Sequence, residues 1–382
     1  MENFDIYNPT KVHFGKDVCN DLGKTISKYG KRVLLVYGKG SIKKFGLYQK
    51  AIEQLNSIGA EIFEYSGIKS NPIIEDVDGA TEVGRKNNID VILAIGGGSV
   101  IDSAKVISVA IPVQNQAWDF FEGKVKVESA IPIIAVLTLA ATGTEMNCFA
   151  VVQNHKTGNK AAFGHPFVYP KHSFLDPQNT FSVPRNYTAF GITDLIAHSL
   201  EAYFDKGEAS LCDKFVYSII KEAIEFGPAL LNNLKDYELR AKIMFAATMA
   251  LNGTTAYGRN ASGDWGVHSI GHILSLLYDI PHGATLSIAF PAWLKLMKTR
   301  TPERIIEIGK ELFGAKDVDE TISGFEKFFV KIECPIRLTE INLNENHKKE
   351  IFDSMVHNKA NGNNYKLDTE DYKKLIEFMF GN

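Results

Sequence analysis

The sequence predicts an α/β domain built on a mostly parallel sheet, followed by an all-helical domain. Up to about residue 183, short β-branched runs alternate with helix-period segments. After Pro184 those runs stop and long amphipathic segments follow. The turn-rich stretch DPQNTFSVPRN marks the junction, so the expected domains are 1–183 and 184–382.

The elements follow in order. KRVLLVYG (31–38), EIFEYSG (61–67), DVILAIGGG (90–98) and IPIIAVLTL (131–139) read as buried strands bounded by turn residues. Between them, 41–58 and 73–88 carry the helical period. Asn71 and Pro72 suit the N-cap and first position of the second of these helices. Strands alternating with helices argue for a parallel sheet covered on both faces. In the second half, 187–204, 209–230, 235–256, 265–278, 303–313, 318–332 and 369–379 read as helices.

The composition narrows the function. Of 382 residues, 45% are hydrophobic and 23% charged, with net charge −3, an ordinary globular balance. There is no basic excess for nucleic acid and no polybasic run for a membrane surface. No apolar stretch reaches the roughly 18–20 residues of a membrane span. The start, MENFDIYNPTKVHF, lacks the order of a secretory signal. The four cysteines form no CxxC pair, so reduced thiols in the cytoplasm are expected.

The glycine-rich loop AIGGGS (94–99) follows a strand and opens a helix expected near Val100. Backbone N–H groups at a helix start make an anion site, and glycines let a phosphate approach. A tight strand-to-helix turn explains the same glycines. Positions 96–101 read GGGSVI, which is not the GxGxxG fingerprint. Asp119, where that fingerprint would place its acid, reads as a decoy. A second glycine cluster, YGKGSIKK (37–44), ends the first long strand. Two such loops at one sheet edge can serve one cofactor.

The sharpest chemistry lies in the helical half. Asp194 and His198 are four apart on one predicted helix face, as are His268 and His272 on another. His282 follows Pro281, just after the second helix. The chain has only ten histidines, and four of them stand with an aspartate in two apolar segments. A buried imidazole or carboxylate needs a partner. One divalent cation would satisfy Asp194, His198, His268 and His282 together, and the mixed donor set suits Fe(II), Zn or Mn. His272 is then one histidine too many and reads as a proton relay in the pocket wall, with core packing as the competing reading.

These residues carry a resemblance. In GGGSVIDSAK, LTLAATGTEMN, FLDPQNTFSVPRNYTAFGITDLIAHSLEAYF and HSIGHILSLLYDIPHG, the chain resembles the iron-containing (group III) alcohol dehydrogenases over essentially its whole length. Within them it is most similar to the butanol dehydrogenase-like branch, which includes NADPH-dependent aldehyde reductases. The resemblance implies an N-terminal dinucleotide-binding domain, a C-terminal helical metal-binding domain, Fe(II) on the four ligands and a homodimer or higher oligomer. It implies hydride transfer between NAD(P)H and a small aldehyde or primary alcohol. It places Gly97, Gly98 and Ser99 on the pyrophosphate, Thr138, Thr142 and Asn147 toward the nicotinamide, and Lys160 near the ribose. Asn71 joins the expected cofactor-binding set. Asp102 is expected to cap or brace the loop, since a carboxylate would repel pyrophosphate.

YGKGSIKK bears on the form of the cofactor. An acid here would bind the ribose hydroxyls of NAD and repel a 2′-phosphate. None is present, and Gly38, Lys39, Gly40 and Ser41 offer backbone donors, a cation and a hydroxyl. NADP(H) is therefore favoured over NAD(H), and solvated surface lysines would leave NAD(H) open. Trp265, Phe149, Leu251 and Trp118 are candidate walls for a short aldehyde. The alternatives are a glycerol-type polyol dehydrogenase and a metal-dependent cyclase like dehydroquinate synthase. The apolar segments around the metal residues argue against the cyclase.

Overall fold

The computed structural model describes residues 1–381. Asn382, the last residue of the expected helical domain, lies outside them. The chain packs as two compact units. One comprises Tyr7–Val183 and Lys235–Met244, the other Met1–Ile6, Pro184–Leu234 and Phe245–Asn382. The units therefore interleave where a contiguous division at 183/184 was expected. Segment 235–244 joins the α/β unit because Met244 enters its core and Arg240 donates to the Val183 carbonyl.

The α/β unit holds strands β1 (Lys11–Phe14), β2 (Arg32–Tyr37), β3 (Glu61–Ser66), β4 (Val91–Gly96), β5 (Ile133–Leu137), β6 (Phe149–Asn154), β7 (Asn159–Gly164) and β8 (His172–Leu175). Its helices are α1 (Leu22–Ile26), α2 (Ser41–Lys44), α3 (Leu47–Ser57), α4 (Ile74–Lys86), α5 (Gly98–Ala110) and α6 (Trp118–Phe121). Six strands form one parallel sheet in the order β1-β8-β5-β4-β2-β3, and β6 and β7 form a separate antiparallel hairpin. The period-2 alternation divides the core. Leu34, Val36, Ile92, Ala94, Ile133 and Ala135 face one layer of helices. Val33, Leu35, Val91, Leu93, Ile134 and Val136 face the other.

The chain runs from β2 outward to β3, then returns to β4 on the other side of β2. This is the switch point where open α/β sheets bind ligands at the carboxyl ends of their strands. Both glycine loops leave from it, 38–41 after β2 and 97–99 after β4.

Several local expectations need correction. Asn71 does not cap α4: Ile73 holds the N-cap position without a side-chain cap, and the Asn71 oxygen accepts from Lys160 Nζ. Helix α5 starts at Gly98, with Gly97 as N-cap. Trp118 is buried in the core and stacked on Phe121. Asp119 sits in α6 and follows no strand of the parallel sheet directly.

The helical unit contains α7 (Arg185–Tyr203), α8 (Ser210–Asn232), α10 (Gly266–Tyr278), α11 (His282–Met297), α12 (Pro302–Phe313), α13 (Val318–Lys331), α14 (Lys348–His357) and α15 (Thr369–Phe380), while α9 (Tyr237–Ala250) contributes to both units. Helix α11 escaped the sequence reading because nearly all of HGATLSIAFPAWLKLM is buried, which leaves no amphipathic period. His282 is its first residue. Among the described residues no helix is long and apolar enough to cross a membrane.

Candidate metal centre and cofactor cradle

Three helices build the candidate metal centre within the helical unit. Helix α7 carries Asp194 and His198 one turn apart, α10 carries His268 and His272, and α11 opens with His282. Glycines bring these helices close. A Cβ on Gly283 would lie 2.1 Å from the Phe190 carbonyl oxygen of α7, and one on Gly271 would lie 2.8 Å from Thr285 Oγ1 of α11. Only glycine lets the start of α11 sit on the α7 backbone.

Asp194, His268 and His282 each present a ligand atom, all within 4.8 Å of one another. Asp194 Oδ1 is 3.8 Å from His268 Nε2, 3.7 Å from His282 Nε2 and 3.7 Å from His198 Nδ1. These separations exceed a hydrogen bond. They approach the roughly 3.4 Å between two ligands of a tetrahedral ion with bonds near 2.1 Å. His198 joins the trio through Asp194, and its ring stacks on His268 at 4.7 Å between centroids. Asp194 Oδ1, His198 Nδ1 and His268 Nε2 are buried without a hydrogen-bond partner. Asp194 Oδ1 thus stands within 3.8 Å of two other buried atoms of this kind, which is costly unless something charged completes them. The residues fit a divalent cation.

The electrostatics agree. Burial pushes His198 down to about 4, which keeps its ring neutral and able to ligate. Burial also opposes a charge on His268, but Glu201 and Asp194 outweigh it and raise the pKa to about 9. A proton and a cation thus compete for the same nitrogen. His272 is half-buried, with its ring 5.3 Å from that of His282 and 6.4 Å from that of His268. It borders the trio without entering it. Trp265 sets its ring edge-on to His268 at 5.1 Å and to His198 at 6.1 Å, from a left-handed backbone with φ 65°. Such a conformation in a bulky residue marks a constrained position.

Glu201 and Asp264 were not among the expected site residues. Glu201 is buried beneath His268 and accepts hydrogen bonds from it. Asp264 is fully buried and accepts from the backbone N–H of Asn364 and Tyr365, tying 364–365 to the start of α10. Burial and the neighbouring Glu201 push Asp264 up to about 6. The sequence signal for Glu201 was its place seven residues after Asp194, on the same helix face.

In the α/β unit, the cradle forms around the start of α5. A Cβ on Gly98 would lie 2.6 Å from Thr142 Cγ2, and one on Gly97 would lie 3.1 Å from Leu139 Cβ. The helix start has no side-chain cap, so its first N–H groups are available to an anion. Ser99 Oγ donates to the Ser70 carbonyl. Thr138 N donates to Gly96 O at 3.0 Å, which sets the end of β5 beside the loop. Lys160 Nζ donates to Asn71 Oδ1 at 2.9 Å, bringing two expected cofactor residues together.

Asp102 ties α5 to the segment after β5 and to β6. It accepts from Thr144 Oγ1 at 2.5 Å and from Val151 N at 2.9 Å. The buried Lys105 donates to Thr144 Oγ1, Asn147 Oδ1 and the Phe149 carbonyl, and burial lowers its pKa to about 8 against the pull of Asp102. Asn147 is drawn into this network. Its oxygen also accepts from Phe149 N, and its Nδ2 donates to Gly143 O. Its amide therefore stitches the 143–149 loop.

Gly38, Gly40 and Ser41 lie at the switch point. A cleft of about 290 Å³ in this unit is lined by Ser41, Ile42, Phe45, Thr138, Asn179 and Lys235, among others. Of the nearby cations, Lys43 is committed, its ammonium 4.6 Å from the Tyr48 ring centre and 5.1 Å from that of Tyr37. Lys39 is exposed.

Comparison with known proteins covers both halves of the chain. Residues 9–177 match the sequence model of iron-containing alcohol dehydrogenase, and residues 188–379 match the C-terminal model of the Fe-containing alcohol dehydrogenase family. Probable NADH-dependent butanol dehydrogenase 1 of Bacillus subtilis is 39% identical over 386 residues, covering 99% of each chain. NADPH-dependent aldehyde reductase YqhD of Escherichia coli is 34% identical, covering 90% of each. The crystal structure of NADH-dependent butanol dehydrogenase A from Thermotoga maritima superposes with a TM-score of 0.96 at 37% identity, covering 100% of this chain and 99% of that one. With both halves matched in order and the ligand residues drawn together by the fold, the chain belongs to the iron-containing alcohol dehydrogenase family and is an oxidoreductase.

Proposed function

We propose that the chain catalyses reversible hydride transfer between NAD(P)H and a small aldehyde or primary alcohol, butanal and butanol being representative. The observation that carries this reading is the convergence of ligand atoms from Asp194, His268 and His282, with the buried His198 Nδ1 3.7 Å from Asp194 Oδ1. These four residues would hold the metal, with Fe(II) favoured by the family and Zn or Mn compatible with the donors. A bound divalent cation supplies Lewis acidity at the substrate oxygen, and a nicotinamide supplies the hydride.

The chain's own residues do the rest. Gly97, Gly98 and Ser99 receive the pyrophosphate at the start of α5, and Thr138 and Thr142 orient the cofactor from the end of β5. Asn71 and Lys160 act as a bonded pair on the ribose side. His272 exchanges the proton of the substrate oxygen with water, from the border of the metal trio. Trp265 shapes the apolar approach to that oxygen.

NADP(H) is the favoured cofactor, since the loop after β2 carries no acid and presents Lys39, Gly40 and Ser41. The second reading is NADH, supported by the engagement of Lys43 with Tyr37 and Tyr48 and by the names of the Bacillus and Thermotoga relatives. The working form is proposed to be a cytoplasmic homodimer, which light scattering of the purified protein checks for assembly state.

The deciding experiment follows NADPH and NADH consumption separately with a panel of short aldehydes and with glycerol-type polyols, on Fe(II)- and Zn(II)-loaded protein. Oxidation of NADPH by short aldehydes is expected. No turnover with either cofactor and either metal would sink the proposal, a preference for NADH would reverse only the cofactor reading, and turnover confined to polyols would reassign the substrate.

A further inference from the structure

We propose that Glu201 is the positioning residue that fixes His268 for the metal, and so sets the affinity of the site. This rests on the metal-site reading above.

Helix α7 places Asp194, His198 and Glu201 at i, i+4 and i+7, one face of one helix. Two of these residues point at the metal position. The third is 2% exposed and reaches across to α10. There a single oxygen, Oε1, accepts from the backbone N–H of His268 at 2.9 Å and from Nδ1 of the same residue at 2.9 Å.

Each bond has its own consequence. His268 is the third residue of α10, so its N–H is one of the donors a helix start leaves without an internal partner. The N-cap residue, Trp265, makes no side-chain cap. Glu201 supplies the missing acceptor from another helix and brings negative charge to the positive end of α10. The second bond fixes the ring. With Nδ1–H donating to a carboxylate, Nε2 is the nitrogen left to face a cation, and the ring's orientation is locked. That Nε2 is the atom that stands 3.8 Å from Asp194 Oδ1 without a hydrogen bond. A carboxylate behind a ligating histidine both orients the ring and raises its basicity.

The charge and the cap separate experimentally. Glu201→Gln keeps an acceptor oxygen for the His268 N–H but removes the charge that strengthens the Nδ1 bond. Apo-protein, prepared with a chelator, is titrated with Zn(II) in competition with a chromophoric chelator, and its melting temperature is measured in parallel. Glu201→Gln is expected to bind Zn(II) about 10–100-fold more weakly than wild type, with the apo-protein melting as wild type does. Glu201→Ala should lose more affinity and also melt lower, and if it fails to fold, the Gln variant alone carries the test. Equal affinity in Glu201→Gln and wild type overturns the proposal. So does an affinity loss matched by a lower apo melting temperature in Glu201→Gln, which would assign the residue to helix capping alone. Failure of wild type to bind Zn(II) or Fe(II) overturns the metal-site reading itself, a result distinct from either.

Discussion

Asp194 Oδ1 and His268 Nε2 face each other at 3.8 Å, and neither has a hydrogen-bond partner. The gap is too long for a hydrogen bond and suits two ligands of one ion. Asp194→Ala and His268→Ala are therefore each expected to lower the metal content of purified protein by at least roughly tenfold, since even an outer partner of a ligand is worth about 10–100-fold in affinity. Elemental analysis checks this. Full metal retention in either variant would place the ion elsewhere.

His272 is expected to behave differently. Its ring lies 5.3 Å from that of His282, yet it is outside the group whose ligand atoms converge. His272→Ala should keep its metal and lose about 10²–10⁴-fold in kcat, the usual range for removing a proton-transfer group. The loss should shrink as the pH moves toward conditions where water exchanges the proton unaided. Metal loss in this variant would make His272 a ligand, and an unchanged kcat would return it to the packing.

What was legible in the sequence follows from period and polarity. Strands β2, β4 and β5 are buried runs between turn residues, so their pattern announced them, while β3 was legible from its turn-bounded run although it forms a partly exposed sheet edge where a buried strand was expected. The hairpin β6–β7 and the edge strand β1 were missed because their burial is mixed, and β1 is only four residues long. The metal residues were legible because a histidine or aspartate in an apolar helix needs an explanation. Glu201 was less so, because its partner His268 lies 67 residues away and only the fold joins them. Lys105 was missed for the same reason. Nothing in GGGSVIDSAK says that its lysine turns inward to meet Thr144, Asn147 and the Phe149 carbonyl.

Gly283→Ala tests how the third ligand is delivered. The added Cβ would meet Phe190 O at 2.1 Å and its carbonyl carbon at 2.6 Å. Both belong to the α7 backbone and cannot swing aside, so the start of α11 must shift. Overpacking of this kind costs about 1–3 kcal/mol. Because His282 is the neighbouring residue, the shift should also weaken metal binding. Thermal melts of the apo-protein and a Zn(II) titration check the two effects. Unchanged values in both would mean that α11 has slack at its start, contrary to the packing described.

The pair His13–His172 predicts an acid-sensitive step in the stability of the α/β unit. His13 Nε2 and His172 Nδ1 are 2.9 Å apart, joining β1 to β8 in the sheet. Burial lowers His172 to about 4, with further lowering from His13, Lys28 and Lys11. Burial also lowers His13, aided by Lys11 and Lys28 and opposed by Asp21. Phe174 stacks on His13 and Tyr29 meets His172 edge-on, so neither ring adds a countercharge. Two protons cannot share this contact without repulsion. The unfolded chain, with histidines near 6.5, binds more protons than the fold between about 6.5 and about 4. Stability should thus fall as the pH drops through that window and level off below it. His172→Gln removes the depressed group. Its urea midpoint should decline less than that of wild type between about pH 7 and pH 4.5, while carboxylates elsewhere act equally on both proteins. Parallel declines in the two proteins would show that the pair does not govern the acid limb.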